Sequence, residues 1–570
     1  MSNSSGRFDV LVAGAGPVGL TAAYELTRRG LRVRVVDQAA GPATTSRALA
    51  THARTLEIYD QMGLLDRILP RGQRVEHFTL HSRGRQLIRF DTDYSQLPTR
   101  FPFTLMVDQV ITEEVLRDAV QAVGVEIEWG VRLEEFNQDD DGVYVALRHP
   151  DGEVRRSIVS WLVGCDGGRS TVRKSLGLKL IGESSETWLI ADAVVDIDLP
   201  DDSIHWMHTG NGTVMLVPFP EPGKWRLLDT VDIGYEDDAA TVGARFAAKI
   251  SKATGKPATV RTPSWVSVFT IQQRMVPDMR VGRCFVAGDA AHVHSPASGQ
   301  GMNTGIQDAY NLAWKLAMVV RGQADARLLD SYAVERVPIG AALLGSTRTA
   351  TTLVALRNSV LPAVMPIGLA VIRRLRQAKS QIERKIMRGM AGLALSYRPA
   401  PGQPGGPAPA VDPANSLGSG ARPGERVSLV RREDLASPGC AALVEELRDP
   451  RWSLLVFGAG ASTGAVAGAA AAHLHREHAE WLSVRIVGDW LDSAPTRLDD
   501  PDGRLAEVLG ARPGSWLLVR PDGYLAARGT DLRSSTLDGV LDTVGVNPEP
   551  VPAEDVEEYV PAPLLYLPII

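Results

Sequence analysis

The sequence predicts an α/β protein in which a domain with a parallel sheet is interrupted by a β-rich insertion and followed by a smaller α/β domain. Three observations support this fold class. A short apolar run, Phe8 to Ala13, stops at a glycine-rich turn that leads into a helical pattern. Segments of strand character dominate residues 181–275. A dense run of proline and glycine at 398–424 precedes a last set of strand and helix patterns.

The length and composition agree with several globular domains. A chain of 570 residues is expected to form two to four of them. Hydrophobic residues make up 44% and charged residues 22%, as in ordinary soluble proteins. A formal net charge of -6 argues against a dedicated nucleic-acid binder. We predict these boundaries: 1–180 and 276–397 for the two parts of the first domain, 181–275 for the insertion, 398–424 for a linker, 425–545 for the C-terminal domain and 546–570 for a tail.

No membrane span and no metal site are predicted. Val360 to Ile372 is apolar but shorter than the roughly 20 residues that a span needs. Leu454 to Ala472 is rich in glycine and alanine, and we expect both segments to be buried in soluble domains. Cys165, Cys284 and Cys440 form no CxxC pair and no metal-ligand spacing. With a polar N-terminus that lacks a signal-peptide core, these features predict a cytoplasmic protein.

The first motif that carries chemistry is the glycine turn after the first strand. Gly14 permits the tight turn, Gly16 lets the backbone approach a pyrophosphate, and Gly19 lets the helix pack on the strand. Asp37 ends the next strand, where a carboxylate accepts hydrogen bonds from ribose hydroxyls. The pattern predicts a Rossmann-type dinucleotide site; the alternative is a tight turn without a ligand.

A second motif lies far downstream, at Gly288 and Asp289. A buried strand ends at this carboxylate, a glycine-rich loop follows, and a helix begins near Gly301. A carboxylate here can accept hydrogen bonds from hydroxyl groups, and the helix start directs its positive end into the loop. For His292 and His294, packing at a corner of the fold is the alternative to a chemical role.

A third motif, Cys165-Asp166-Gly167-Gly168, lies between the other two, at the end of another predicted strand. By itself it is typical of a turn in which Asp166 hydrogen-bonds the backbone. Cys165 is interpreted as a small buried residue and not as a nucleophile.

In this order the three motifs resemble the FAD-dependent aromatic hydroxylases, the single-component flavoprotein monooxygenases typified by p-hydroxybenzoate hydroxylase. The resemblance covers about residues 8–400 and is closest to larger members that act on phenols and aromatic polyketides and carry a C-terminal thioredoxin-like domain. It implies FAD as cofactor, NADPH or NADH as reductant, and O₂ and a small aromatic molecule as substrates.

The same resemblance implies a role for individual residues around FAD. It assigns the ADP half to Gly14, Gly16, Gly19 and Asp37, the pyrophosphate to Arg47, a further FAD contact to Gln109, contacts with FAD and NAD(P)H to Asp166, the ribityl chain to Asp289, and the isoalloxazine surroundings to Pro296, Gly299, Gly301, Met302 and Asn303.

The implied reaction is hydroxylation. NAD(P)H would reduce FAD, O₂ would add at flavin C4a to give a hydroperoxide, and an electron-rich phenol would attack its distal oxygen. The protein's task is then to position the ring and exclude water. His52, Arg54 and His294 are the candidates for proton transfer. The substrate contacts are expected in the insertion, with core packing as the alternative for each: Trp206, His208, Met215 and Phe219.

The C-terminal domain admits two interpretations. Gly458 to Gly464 follows a strand and precedes an alanine-rich helix, which resembles a second dinucleotide fold, but its spacing is GxGxxxG and not GxGxxG. A thioredoxin-like domain of this size, with Pro521-Asp522-Gly523 as a hairpin turn, is the preferred interpretation. Since it lacks CxxC, we expect a structural or homodimer-forming role and no disulfide chemistry.

Two other functions are alternatives for a chain with these motifs. Baeyer–Villiger oxygenation of a polycyclic ketone would use the same scaffold. A flavin-containing protein that sequesters an aromatic compound without turnover is the alternative from outside enzymology. A halogenase is disfavoured because no Trp-x-Trp-x-Ile-Pro motif is present.

Overall fold

The protein's structure is a computed structural model. It describes residues 7–91, 97–210, 212–234, 238–294, 299–355, 391–397, 420–458, 461–488, 497–530, 532, 539–542 and 545–546. Pro296, the segment Val360 to Ile372, most of the predicted linker and nearly all of the predicted tail lie outside these residues.

The strands are numbered along the chain. They are β1 Val10–Ala13, β2 Val33–Asp37, β3 Ala50–Thr51, β4 Gln73–Val75, β5 His77–Ser82, β6 Arg85–Asp91, β7 Thr104–Met106, β8 Ile127–Trp129, β9 Arg132–Gln138, β10 Val143–Arg148, β11 Val154–Val159, β12 Trp161–Gly164, β13 Ile181–Asp196, β14 Ser203–His208, β15 Thr213–Pro218, β16 Lys224–Asp229, β17 Thr259–Val260, β18 Trp265–Met275, β19 Arg280–Val281, β20 Cys284–Val286, β21 His292–Val293, β22 Trp452–Phe457, β23 Leu482–Val487, β24 Arg497–Leu498, β25 Trp516–Val519 and β26 Leu525–Gly529.

The α-helices of the described residues are numbered in the same way. They are α1 Pro17–Thr27, α2 Ala53–Gln61, α3 Leu65–Ile68, α4 Gln109–Ala122, α5 Thr171–Ser175, α6 Ala239–Thr254, α7 Gly301–Val320, α8 Asp330–Ala355, α9 Pro438–Glu446, α10 Ala461–His478 and α11 Arg504–Leu509. In these parts of the chain no helix combines the length and the apolar character that crossing a membrane requires.

The first sheet has six strands in the order β19-β20-β12-β1-β2-β8, and every neighbouring pair except β19 and β20 is parallel. β1 and β12 are buried along their whole length, as strands covered by helices on both faces must be. The helix predicted from Leu20 begins earlier, at Pro17, because the fixed φ of proline suits the first helical position. Four neighbouring parallel strands therefore end at one edge, directly before the three predicted motifs.

The second sheet is the predicted β-rich layer, in the order β21-β18-β13-β16-β15-β14-β5-β6, with β17 paired to β13. Strands β13 to β18 fall within 181–275, but β5 and β6 come from the preceding part of the chain, and β5 pairs in parallel with β14. One face packs on α6 through alternate residues such as Ala191, Met207 and Leu216. The other face is directed toward the first sheet.

A pair of buried histidines lies on the α6 side of this layer. His81 Nε2 is 3.0 Å from His205 Nδ1, and His205 Nε2 is 2.8 Å from the carbonyl oxygen of Pro200. Since Nε2 of His205 donates to a carbonyl, its Nδ1 accepts from His81 and both rings are neutral. Burial lowers the pKa of each to about 4, from an ordinary 6.5.

This pair predicts a loss of stability in mild acid. The folded state binds fewer protons than the unfolded state between pH 6.5 and about 4, so stability is lost as pH falls through this window, by up to about 1.4 kcal/mol per pH unit for each histidine. We expect urea denaturation of His81→Gln to show a shallower pH dependence than the wild type. His473→Gln, at an exposed site on α10, is the control. Equal slopes for wild type and His81→Gln would contradict the prediction.

The C-terminal sheet has the order β24-β23-β22-β25-β26. The pairs β22–β23 and β23–β24 are parallel, whereas β25 is antiparallel to β22 and β26 is antiparallel to β25. Its core is continuous with α7, since Trp314 and Trp452 meet edge to face with 5.4 Å between ring centroids. The C-terminal domain is thus packed directly on the first domain.

A buried set of charges joins the two domains. The guanidinium of Arg520, on the β25–β26 hairpin, contacts both carboxylate oxygens of Glu335 at 2.7 and 2.9 Å. It also contacts both oxygens of Asp522, at 3.0 and 2.6 Å. Lys315 Nζ is 2.8 Å from Glu335, and Asn311 donates to Asp522 at 3.1 Å. All five side chains are buried, so each charge depends on its partners.

Candidate functional site

A cavity of about 730 Å³ lies between the carboxyl edge of the first sheet and the open face of the second. Its volume is within the range typical of ligand sites. One end is polar and is formed by the glycine turn and the other two motifs. The opposite end is apolar and is formed by alternate residues of five strands: Phe78, Ile190, Ile204, Trp206, Met215, Val217 and Leu228.

The three glycines of the turn have distinct surroundings. Gly14 has a φ of +108°, and a Cβ there would lie 2.3 Å from the carbonyl oxygen of Cys165. A Cβ on Gly19 would lie 1.9 Å from the carbonyl oxygen of Gly14, so this position must be bare for α1 to pack. At Gly16 a Cβ would meet nothing within 4 Å, and this residue lines the cavity. The first turn of α1, which has no side-chain cap, therefore offers N–H groups toward open space.

Asp37 closes the turn from the neighbouring strand. Its carboxylate accepts hydrogen bonds from the N–H groups of Ala15 at 2.7 Å and Ala39 at 2.8 Å. It also lines the cavity, and a carboxylate has lone pairs left for a ligand hydroxyl. Asp37 therefore holds the turn in shape while facing the same space as Gly16.

Arg47 lies on a loop that three side chains hold. Gln109 accepts a hydrogen bond from the Ala48 N–H at 2.9 Å. Arg226 donates to the Arg47 carbonyl at 2.8 Å, and it also donates two hydrogen bonds of 2.8 Å to the carboxylate of Asp192. The Arg47 side chain makes no hydrogen bond with the described residues and is exposed within the cavity. A fixed loop thus presents an unpaired cation to the polar end.

Arg226 and Asp192 were not among the predicted site residues. They face each other in register on the antiparallel strands β16 and β13, and both are buried. The signal in the sequence was weak, because both strands carry other charged residues as well. Only the pairing of the strands shows that the two charges neutralise each other.

Asp166 begins α5. Its carboxylate accepts hydrogen bonds from the Ser170 hydroxyl at 2.5 Å and from the Thr171 N–H at 2.6 Å. Arg173, in the same helix, donates to the carbonyl of Ala290 at 3.1 Å. The second and third motifs are therefore joined directly, and Asp166 lines the cavity while it shapes that junction.

Asp289 is different, because its carboxylate has no hydrogen-bond partner among the described residues. It is accessible from the cavity yet surrounded by protein, and this burial raises its pKa; the nearby His292 and Arg47 side chains act in the opposite direction. A carboxylate in such surroundings gains from a ligand that donates hydrogen bonds.

Of the residues around the start of α7, three line the cavity and one is buried. Gly299, Gly301 and Met302 line the cavity. The Asn303 side chain is buried: it donates to the carbonyls of Ala50 and Gly299, both at 2.8 Å, and accepts from the backbone. Asn303 therefore ties α7 to the chain before α2 and does not itself reach the cavity.

Two of the four predicted substrate contacts line the cavity, and two do not. Trp206 and Met215 line the apolar end. Phe219 is packed in the core beneath the guanidinium of Arg226, which lies 5.3 Å from its ring centroid. His208, at the far end of β14, is buried and does not line the cavity.

The three candidates for proton transfer lie in different places. His52 and His294 line the cavity. Arg54 does not: it is buried against the C-terminal hairpin, where it pairs with Glu57 at 3.0 Å and donates to the carbonyl of Asp522 at 2.7 Å. Arg54 is therefore an interface residue, and the structure gives it no contact with the cavity.

Comparison with known proteins decides the family. Residues 7–347 match the FAD binding domain family. The chain belongs to this family. Its cofactor is FAD, and the predicted FAD-dependent aromatic hydroxylase with NAD(P)H as reductant is confirmed.

Relatives of this flavoprotein align over almost its whole length. It is 54% identical over 540 residues to a 6-methylpretetramide 4-monooxygenase of Streptomyces rimosus, covering 95% of this chain and 94% of that protein. The anhydrotetracycline hydroxylase OxyS from Streptomyces rimosus superposes with a TM-score of 0.72 at 28% identity, covering 96% of this chain and 100% of the other. Aklavinone-11 hydroxylase, in a complex with FAD and aklavinone, gives 0.71 at 26% identity over 96% and 100%.

Proposed function

We propose that this flavoprotein hydroxylates a polycyclic phenol of the aromatic polyketide type, using NAD(P)H and O₂. One observation carries the proposal: a single cavity joins the polar glycine turn to an apolar face of the second sheet. The relative with 54% identity acts, by its name, on 6-methylpretetramide, which supports a substrate of that class. When bound, FAD would supply the activation of O₂, by the hydroperoxide route that the family resemblance implies.

The residues at the polar end fit FAD. The bare backbone at Gly16 leaves room for a pyrophosphate, and the unpaired guanidinium of Arg47 suits its charge. Asp37 would accept hydrogen bonds from the ribose, and Asp289 from the ribityl hydroxyls. Gln109, through the loop that it holds, positions Arg47.

The apolar end fits a flat, largely hydrocarbon ring system. Its lining is aliphatic and aromatic, and alternation along the strands gives it one continuous face. Trp206, braced edge to face by Phe78 at 6.3 Å, and Met215 would bound the substrate. Such a pocket positions a ring and excludes water, which is the contribution that hydroxylation needs from the protein.

We also propose that the C-terminal domain is thioredoxin-like. Support comes from its sheet, in which a parallel β22–α10–β23 unit is followed by two antiparallel strands, whereas Rossmann-type sheets are mostly parallel. The homodimer and the cytoplasmic location stay predictions. Light scattering of the purified protein would give the oligomeric state.

The function is tested by the product. The purified yellow protein is incubated with NADPH, air and a tetracyclic phenolic substrate such as 6-methylpretetramide. We expect a product heavier by one oxygen atom, and its NMR spectrum should show a new hydroxyl group on an aromatic ring. A lactone or ester would instead establish the Baeyer–Villiger alternative. Binding without an oxygenated product would favour sequestration and would overturn the proposal.

Asp289→Ala is expected to weaken FAD binding by roughly 10- to 100-fold, because hydrogen bonds to a charged acceptor are each worth about 1.5–3 kcal/mol. Flavin fluorescence during titration of the apoprotein measures the change. Asp140→Ala, in an exposed hairpin loop, is the matched control. If both variants bind FAD as the wild type does, Asp289 has no role at the ribityl chain.

A further inference from the structure

A chain of hydrogen bonds leads from the cavity into the protein interior. His294 lines the cavity, and its Nε2 lies 2.8 Å from Nδ1 of His292. Nε2 of His292 lies 2.6 Å from a carboxylate oxygen of Asp308. His292 and Asp308 are almost fully buried. The two imidazoles and the carboxylate therefore form one continuous path.

Asp308 is held as an anion. Its two oxygens accept hydrogen bonds from Arg336 at 2.7 Å and from the Gly288 N–H at 3.0 Å. The neighbouring His292 and the buried Arg336 hold the pKa of this carboxyl at about 2, although burial opposes them. Asp308 thus accepts a hydrogen bond from Nε2–H of His292.

This arrangement determines which nitrogen of each ring carries a proton. In its neutral form His292 donates to Asp308 through Nε2, and its Nδ1 is then an acceptor. His294 must then donate through Nε2, which leaves its own Nδ1 with a free lone pair. Nδ1 of His294 is a buried atom, and it is the only polar atom of the path that has no hydrogen-bond partner in the described residues.

We propose that His294 and His292 form a proton relay for the cavity, in which His294 takes the proton of a substrate phenol. The O–H bond of the phenol breaks, and the proton binds Nδ1 of His294. The Nε2 proton of His294 then moves to Nδ1 of His292. The products are a phenolate in the cavity and an imidazolium at His292, whose charge Asp308 compensates. The inference rests on the proposed function, since it requires a phenolic substrate.

The final position of the charge follows from the surroundings of the two rings. Burial and the neighbouring His292 lower the pKa of His294 to about 3, although Asp308 acts in the opposite direction. A positive charge is therefore not stable on His294. On His292 it lies beside the Asp308 carboxylate, with Arg336 on the far side of that carboxylate and Asp289 nearby.

The consequence for catalysis is a more reactive ring. A phenolate is richer in electrons than the phenol, so the relay would favour oxygen transfer to the aromatic carbon. A positioned general base contributes about 100- to 10,000-fold to rates of this kind. His294 would be a catalytic residue, while His292 and Asp308 act through it.

The test uses emodin, a hydroxylated anthraquinone whose visible absorption shifts when a phenolic group ionises. It is titrated into the FAD-loaded full-length protein near neutral pH. We expect the phenolate-to-phenol ratio of the bound dye to be at least tenfold higher with wild type than with His294→Gln. His473→Gln, at an exposed site on α10, should behave as wild type. Equal ratios for wild type and His294→Gln, or failure of the cavity to bind emodin, would overturn the relay.

A kinetic readout separates a chemical role from a structural one. With the hydroxylated product as the measure, His294→Gln should lower kcat about 100-fold with little change in KM, and added imidazole should partly restore His294→Ala. An unchanged kcat overturns the relay but leaves the proposed function intact. An absence of FAD binding and of any oxygenated product in the wild type overturns the proposed function, whatever the ionisation of emodin shows.

Discussion

Replacing Arg520 with methionine is expected to lower the free energy of unfolding by about 3–5 kcal/mol. The guanidinium is buried and neutralises two carboxylates, Glu335 and Asp522, which are also buried. Methionine fills similar space but leaves one of these anions without a full partner, since only Lys315 remains. Denaturation in urea, followed by fluorescence, gives the change.

The matched control is Arg155→Met. Arg155 pairs with Asp151 and Glu153, but about half of its side chain is exposed, so its loss should have little effect on stability. If the two variants lose the same stability, the buried charges do not hold the domains together. If Arg520→Met unfolds the C-terminal domain alone, the first domain is stable without it.

The expected effect of Arg520→Met extends to the cofactor. Asn311 and Lys315, which contact the C-terminal hairpin and Glu335, lie on the same helix as Gly301 and Met302 at the cavity. A helix held at both ends transmits displacement of one end to the other. We therefore expect the C-terminal domain to support α7, and a fall in FAD content with Arg520→Met would show this coupling.

Alanine substitutions at Gly16 and Gly19 are expected to abolish tight FAD binding for different reasons. A Cβ on Gly19 would lie 1.9 Å from the Gly14 carbonyl oxygen, so the backbone must move, at a cost of about 1–3 kcal/mol in stability. A Cβ on Gly16 meets nothing within 4 Å, and its φ of -78° suits alanine. Gly16→Ala should therefore remain as stable as wild type while its methyl group occupies space that the pyrophosphate needs.

The two variants serve as controls for each other. Thermal unfolding of the apoprotein should separate them, with a lower midpoint for Gly19→Ala only. Titration with FAD should show weak binding for both. If Gly16→Ala binds FAD like the wild type, the pyrophosphate does not lie close to the backbone at Gly16.

Much of the polar end of the cavity could be predicted from the sequence. Gly14, Gly16 and Gly19 meet requirements of the local backbone, which a single strand, turn and helix impose wherever they occur. The order of the three motifs along the chain identified the family without any contact being known. The β-rich character of 181–275 could also be predicted, because the pattern of apolar residues is a local signal.

The contributions of Arg226 and of the relay could not be predicted in the same way. The role of Arg226 depends on its ion pair with Asp192, which lies 34 residues away on another strand. The role of His292 depends on its hydrogen bond with Asp308, which is 16 residues later on a different element. In the sequence each of these residues was one charged or ionisable side chain among many.

Arg54 also shows that the sequence alone does not determine which side chains reach the cavity. It was a candidate for proton transfer in the cavity, yet α2 directs it toward the hairpin at Asp522, 468 residues later. By itself, then, the sequence determined the fold class, the glycine turn and the flavin family, because these depend on local backbone geometry and linear order. Only the tertiary structure decided which charges are paired, which histidine faces the cavity and how the C-terminal domain is attached, because those interactions join residues that chain order leaves far apart.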